Sequence, residues 1–202
     1  MVQFGAEVRN VKDIRSERLS KDYEEMLRLQ DTPYLSWIAV KGAPPFAEEY
    51  LLTVRLRSYA LSATRGRYLV SELNGCTVKV SLWDSYPRIA PQIRMLSFPP
   101  VFHPNWYSKG TYCPPQAWRP DDSLKDYVLR MLGTLKYDPT LIETKAPANY
   151  KALEWYEKHR ENQAWFPSDN TALTENSDEQ VAALKAAVSS GKVIDNWANR
   201  ST

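Results

Sequence analysis

A triplet, His103-Pro104-Asn105, is followed eight residues after the asparagine by Cys113, in the stretch FHPNWYSKGTYC. A cysteine thiol can carry an acyl group as a thioester. An amide N–H aimed at the same carbonyl can steady the oxyanion that forms when the acyl group moves. Asn105 can play that part, or it can hold the loop through backbone hydrogen bonds. Either role makes its replacement damaging. His103 has a pKa suited to a general base, and a structural hydrogen-bonding role is the other reading. Pro104 shapes the turn between them. The chain holds two cysteines, so composition does not explain a thiol at this spacing. Cys76 falls on the apolar face of a strand pattern and reads as a core residue.

The composition narrows the partners. Twenty-six basic and 24 acidic residues leave a net charge of +2, without the basic excess that phosphate binding needs. No nucleic-acid or anionic-membrane partner is expected. Two cysteines without framework spacing argue against a disulfide-built secreted protein. With no CxxC pair and two histidines, no structural metal site is expected, and no cofactor is implied. The opening MVQFGAEVRNVKDIRSERLSKD has no apolar signal core. No apolar run approaches the roughly 20 residues that span a bilayer. The expectation is a soluble cytoplasmic protein with reduced thiols. At 202 residues it suits one domain with extensions.

The cysteine loop must be positioned by the elements around it. Ile14 to Gln30 reads as a helix, with Leu19, Tyr23, Met26 and Leu27 on one apolar stripe. Asp31-Thr32-Pro33 ends it. Strands are predicted at Ser36–Val40, Tyr50–Leu61, Cys76–Trp83 and Gln92–Ser97, an antiparallel meander. Ser62 to Arg67 reads as a loop, Tyr68–Val70 as a strand extension, and Asn74-Gly75 as a turn. Phe98 to Asp121 is proline-rich and reads as irregular, and loops of this length are usually functional. Ser123–Lys136 and Pro147–Gln163 read as helices, the second with proline at its first position and Tyr150, Leu153 and Trp155 inward. Ser177–Ser189 opens with a capping-box pattern, and Gly191 stops it. Pro167 to Asn176 reads as a polar linker.

This order of elements resembles the ubiquitin-conjugating (E2, UBC) fold. Asp84-Ser85-Tyr86-Pro87 with Ile89-Ala90-Pro91 is similar to the family's tyrosine-proline turn before its last strand. Phe102-His103-Pro104-Asn105 resembles the H-P-N signature, and Cys113 sits where the family has its catalytic cysteine. Trp118-Arg119-Pro120 resembles the tryptophan-x-proline before the second helix. Asp138-Pro139 and Pro147-Ala148-Asn149 resemble the approach to the next helix. The resemblance covers Ile14 to Gln163. It implies an α+β, UBC-like fold: an N-terminal helix, a four-stranded antiparallel meander, C-terminal helices and a helical extension. Residues 14–163 would be the catalytic domain and 164–202 a linker and extension. Departures are Pro114 and Pro115 after the cysteine, a short Cys113–Trp118 stretch, an extra segment at Ser62–Gly75, and Lys145-Ala146 where many members carry an acidic residue or serine. They point to a divergent member, of a bacterial ubiquitin-like conjugation system of the antiphage-defence kind.

The resemblance implies that an E1-like adenylating enzyme delivers a ubiquitin-like protein to Cys113. The thioester then passes to an amine, most simply a lysine of a protein target. Cys113, Asn105 and His103 are the implied catalytic residues, His103 in a structural hydrogen-bonding role by family precedent. Lys109 and Arg119 are the local cations available to the thiol. Asp121, Asp122, Asp138 and Glu143 are candidates to orient the acceptor amine. Tyr112 and the tryptophans are candidates to frame the groove for the modifier's tail. The E1 face would include Arg15, Arg18, Lys21 and Arg28. Two other readings compete. One is a non-catalytic module of the same fold that binds a ubiquitin-like protein. The other is a cysteine hydrolase pairing Cys113 with His103 or His159.

Overall fold

A computed structural model describes residues 11–64, 67–162, 164–166 and 173–190. The first helix, α1, runs Val11–Met26 and tightens into a 3-10 turn at Leu27–Leu29. Leu19, Tyr23, Met26 and Leu27 are all buried, as their spacing requires. The strands are β1 (Leu35–Lys41), β2 (Glu49–Val54), β3 (Ser58–Thr64), β4 (Arg67–Leu73), β5 (Cys76–Ser81) and β6 (Gln92–Met95). The later helices are α2 (Leu124–Leu135), α3 (Tyr150–His159) and α4 (Asp178–Ser189). The class is α+β.

Strands β1, β2, β5 and β6 form one antiparallel sheet in that order. Its inner face supplies Leu52, Val78, Val80 and Ile93 to a core shared with Met26 of α1 and Val128, Met131 and Leu132 of α2. The predicted strand Tyr50–Leu61 is two strands in two sheets. Strand β2 ends where Val54 pairs with Cys76. The chain then leaves the sheet, held by Arg55, whose guanidinium bonds the Pro33 and Thr32 carbonyls and Ser36 Oγ. Strands β3 and β4 pair as a separate sheet, so 62–64 and 67 of the predicted loop are strand, and 65–66 lie outside the described residues.

Helix α3 starts later than Pro147 suggests. Asn149 is its N-cap, accepting from Ala152 N, so Pro147 lies before the helix. The helix also stops at His159, short of Gln163. Tyr150 is exposed, and Ala152, Leu153 and Tyr156 are the buried residues. Leu153 and Tyr156 join Tyr59 and Tyr137 in a second, aromatic cluster with Trp155, Trp165 and Phe166 packed on it.

The capping box of Ser177 and Gln180 is formed. Helix α4 is not peripheral to the core: Val181 is buried in the main cluster, with Leu173 and Leu184 against it. Asn176 Nδ2 donates to the Leu27 and Gln30 carbonyls, tying the segment before α4 to the 3-10 turn. The rest of the expected linker, 167–172, and Gly191 lie outside the described residues.

The basic face expected on α1 is largely engaged. Arg18 donates to buried Asp22 at 2.7 Å, to the Pro120 carbonyl at 2.6 Å, to the Asp122 carbonyl and to Tyr86 Oη. Asp22 also accepts from Tyr86 and from Leu124 N. This network ties α1 to the 84–87 turn and to the start of α2. Arg15 pairs with Glu48 and Arg28 with Asp178 of α4, both at 2.7–2.8 Å. Lys21 is the member of the set that stands out in solvent.

Candidate active site

The proline-rich stretch is less irregular than its composition suggests, because its prolines bracket a segment and do not interrupt it. Residues 105–113 contain none. They fold as a small hairpin. Cys113 N donates to Asn105 O at 2.7 Å, Tyr107 N to Thr111 O at 2.9 Å, and Gly110 N to Tyr107 O at 2.8 Å. Gly110 has φ of +82°, and a Cβ there would meet Met95 O at 3.1 Å, so the turn requires glycine. The hairpin lies along the edge of β6, through Met95 N to Gly110 O and Tyr112 N to Ile93 O. The eight-residue interval is thus the length of a hairpin that places Asn105 opposite Cys113.

Cys113 is a free, half-buried thiol. Asn105 is fully buried. Its Nδ2 lies 3.4 Å from the Cys113 carbonyl, and its Oδ1 accepts from Glu143 N at 3.0 Å. The amide group therefore ties the cysteine strand to the loop before α3. An amide nitrogen carries two donor hydrogens, and the long contact to Cys113 engages at most one of them.

His103 is fully buried, and its Nδ1 accepts from Asn105 N at 2.9 Å. An accepting Nδ1 places the ring proton on Nε2, which points to the Thr134 backbone without a well-formed hydrogen bond. The ring packs 4.4 Å from that of Tyr137. Burial pushes the imidazole pKa down to about 3. A neutral ring whose lone pair holds Asn105 N–H is placed to orient Asn105, not to take a proton from a thiol. The Pro104 carbonyl accepts from Asn149 N, which fixes α3 to the same loop.

Tyr107 is the residue that the sequence reasoning missed. In the hairpin it pairs with Thr111 and sits diagonal to Cys113, a distance aromatic side chains reach. Tyr107 is half-exposed, and its pKa is raised, chiefly by its electrostatic interaction with the neighbouring Cys113 side chain. The signal was present in the spacing: an interval that closes a hairpin at Gly110 also sets 107 beside 113. Tyr107→Phe is expected to slow alkylation of Cys113 by iodoacetamide several-fold at neutral pH, since it removes a neighbouring hydroxyl able to donate to the sulfur. An unchanged rate would mean that the hydroxyl does not serve the sulfur.

The other candidates are scattered. Lys109 lies at the hairpin tip, four residues along a strand from the Asn105–Cys113 pair, about 13 Å away. Arg119 is occupied near Asp121 and Asp122. Asp122 accepts from Arg119 N and Arg130, and those contacts lower its pKa, the Arg119 N–H most. Asp138 caps a 3-10 turn through Thr140. Glu143 is the carboxylate whose own backbone is bonded to Asn105. Its Oε1 accepts from Lys145 N and Ala146 N, which hold its carboxyl below the usual range. Trp106 and Tyr112 are buried core residues, and Trp118 bonds the Pro87 carbonyl, so they do not line an open groove. His159 bonds the Trp155 carbonyl within the aromatic cluster. Burial raises the Cys76 pKa to about 12, which suits a structural thiol.

No protein-family model matches the chain, and no curated protein matches it. Among solved structures, the human ubiquitin-conjugating enzyme E2 G1 is similar, at 14% identity and a TM-score of 0.43, over 59% of this chain and 93% of that one. Among the described residues, no helix is long and apolar enough to cross a membrane. None of their His, Cys, Asp and Glu side chains group to hold a metal ion.

Proposed function

We propose that this chain is a UBC-like thioester carrier. In this reading, an E1-like adenylating enzyme delivers a ubiquitin-like protein to Cys113, and the acyl group then passes to an amine, most simply a lysine of a protein target. The observation that carries the reading is the pairing of a half-buried free thiol with an asparagine amide across one short hairpin. Each part has a task. The Cys113 sulfur attacks the incoming thioester carbonyl and becomes its new acyl partner. The second Nδ2 hydrogen of Asn105 serves the oxyanion of the tetrahedral intermediate in the transfer step. His103 is a positioning residue that holds Asn105, and Tyr107 supports the sulfur as leaving group.

The test is a non-reducing gel with intact mass, using candidate adenylating and ubiquitin-like partners and ATP. Wild type should form an adduct that thiol removes. Cys113→Ala should form none, and Cys113→Lys should form one that resists thiol. If a partner pair active on another carrier leaves this chain unmodified but still bound, the non-catalytic module becomes the better reading.

A further inference from the structure

Strand β4 carries an open edge. It pairs with β3 from Ser58↔Leu73 to Thr64↔Arg67 without a shift, and among the described residues nothing pairs with its other side. Its free peptide groups follow from the pairing. The Tyr59 carbonyl accepts from Phe102 N at 2.7 Å, so the Tyr59 backbone points away from β4. Peptide orientation alternates along an antiparallel pair and is shared by opposite residues. Tyr68, Val70 and Glu72 lie opposite Ala63, Leu61 and Tyr59, so they turn their N–H and C=O groups outward. Edge strands are commonly protected by proline, lysine or a bulge, and Arg67–Leu73 has none of these. Val70 packs on the aromatic cluster, and Leu69 and Ser71 face the opposite side. Tyr68 is 70% and Leu69 62% exposed, and Ser71 and Glu72 are exposed beside them.

We propose that this edge is a self-association surface: β4 pairs antiparallel with β4 of a second copy, around a two-fold axis at Val70. The strand itself selects that occupant and that register. A two-fold axis sets residue i opposite j and j opposite i. Centred on Val70, it sets Tyr68 opposite Glu72 and Val70 opposite its own copy. Every outward residue then meets an outward residue, and all three pairs exchange both hydrogen bonds. An axis one residue to either side leaves two such pairs. An axis at Glu72 sets carboxylate against carboxylate. In the Val70 register the two Glu72 side chains stand about 13 Å apart along the strand, and each keeps its Arg57 partner at 2.9 Å. On the outer face the two copies of Leu69 become diagonal neighbours and shield each other from water. Strands β3 and β4 of both chains form one four-stranded sheet. Through the Tyr59 carbonyl that sheet is bonded to Phe102, the residue before His103, in each chain. One strand pair buries little area, so the dimer belongs to the weak class. It forms whether or not Cys113 carries an acyl group.

The test is sedimentation equilibrium of the full chain in reducing buffer, up to about 1 mM. The expected result is a monomer–dimer equilibrium that Leu69→Glu weakens by about tenfold or more, because it sets two carboxylates diagonal to each other. Leu96→Glu, at an equally open leucine outside β4, should dimerise as wild type. Urea midpoints of both variants should match the wild type, which separates lost pairing from lost folding. The register is read by cross-linking in a Cys113→Ser background. Oxidising a mixture of Leu69→Cys and Ser71→Cys chains should join position 69 to position 71 in preference to either with itself. Directly opposite residues of a non-hydrogen-bonded pair have Cα atoms about 4.5 Å apart, within disulfide reach. Three results overturn the proposal. One is a chain that stays monomeric throughout, which leaves the edge to an extended segment of another protein. Another is a dimer that Leu69→Glu does not weaken. The third is cross-linking that prefers 69 to 69 or 71 to 71.

Discussion

Asn105→Ala should slow acyl transfer from Cys113 to an amine by about 10²–10³, the range for loss of one oxyanion donor. It should also cost stability, because Glu143 N–H loses its acceptor and the buried site is left with a cavity. Two measurements separate these effects. Loading of Cys113 and the urea midpoint report the loop, and single-turnover aminolysis of a preformed thioester reports the oxyanion. Asn105→Asp sharpens the comparison, since it keeps an oxygen for Glu143 N–H and removes the Nδ2 donor. If the donor role holds, aminolysis falls in both variants while loading persists in the aspartate. If loading and aminolysis fall together in proportion to lost stability, Asn105 is a strut and no more.

Acid should destabilise this protein well above the range in which its carboxylates titrate. The His103 imidazole has a pKa of about 3 in the folded protein, against 6.5 for the unperturbed group. The folded value is depressed. Below 6.5, therefore, the unfolded chain binds a proton that the native state refuses. Stability from this source is complete above pH 6.5 and declines as pH falls towards 3, by up to about 5 kcal/mol. Glu48, Asp122 and Glu143 also have depressed values, but their contributions are lost below their ordinary range, 4.5 for the glutamates and 3.8 for the aspartate. Asp22 is shifted the other way, its carboxyl raised chiefly by burial, so it favours the folded state as pH falls, and the histidine's share between 6.5 and about 4.5 is the difference between wild type and His103→Phe. Urea midpoints measured across that range should fall steadily in the wild type relative to His103→Phe. Parallel curves would show that the ring is protonated, or reached by water, in the native state. The same slope would follow acid opening of the site, because His103 holds Asn105 N–H.

What the sequence determined by itself is local. The stripe of Leu19, Tyr23, Met26 and Leu27 buried as spaced, Ser123 and Ser177 capped their helices, and Val78 and Val80 turned inward on β5. These follow from helical and strand periods and from capping bonds three residues long, so nearby residues suffice to specify them. The pairing of Asn105 with Cys113 does not belong here: the stretch reads as irregular from its prolines, and the hairpin is also fixed by bonds to β6 at Met95 and Ile93. Tertiary structure decided the rest. Whether Tyr50–Leu61 stays in one sheet depends on Tyr34 and on Arg55 reaching back to Thr32 and Pro33, and no period in the strand records that. Arg18 looks like a solvated charge on its helix until Asp22, Tyr86 and Pro120 close around it. Glu143 comes to the site through a hydrogen bond that spans 38 residues. Contacts of that range are chosen by how whole elements pack, and the energy that selects them resides in the core between α1, α2 and the sheet, not in the residues that use it.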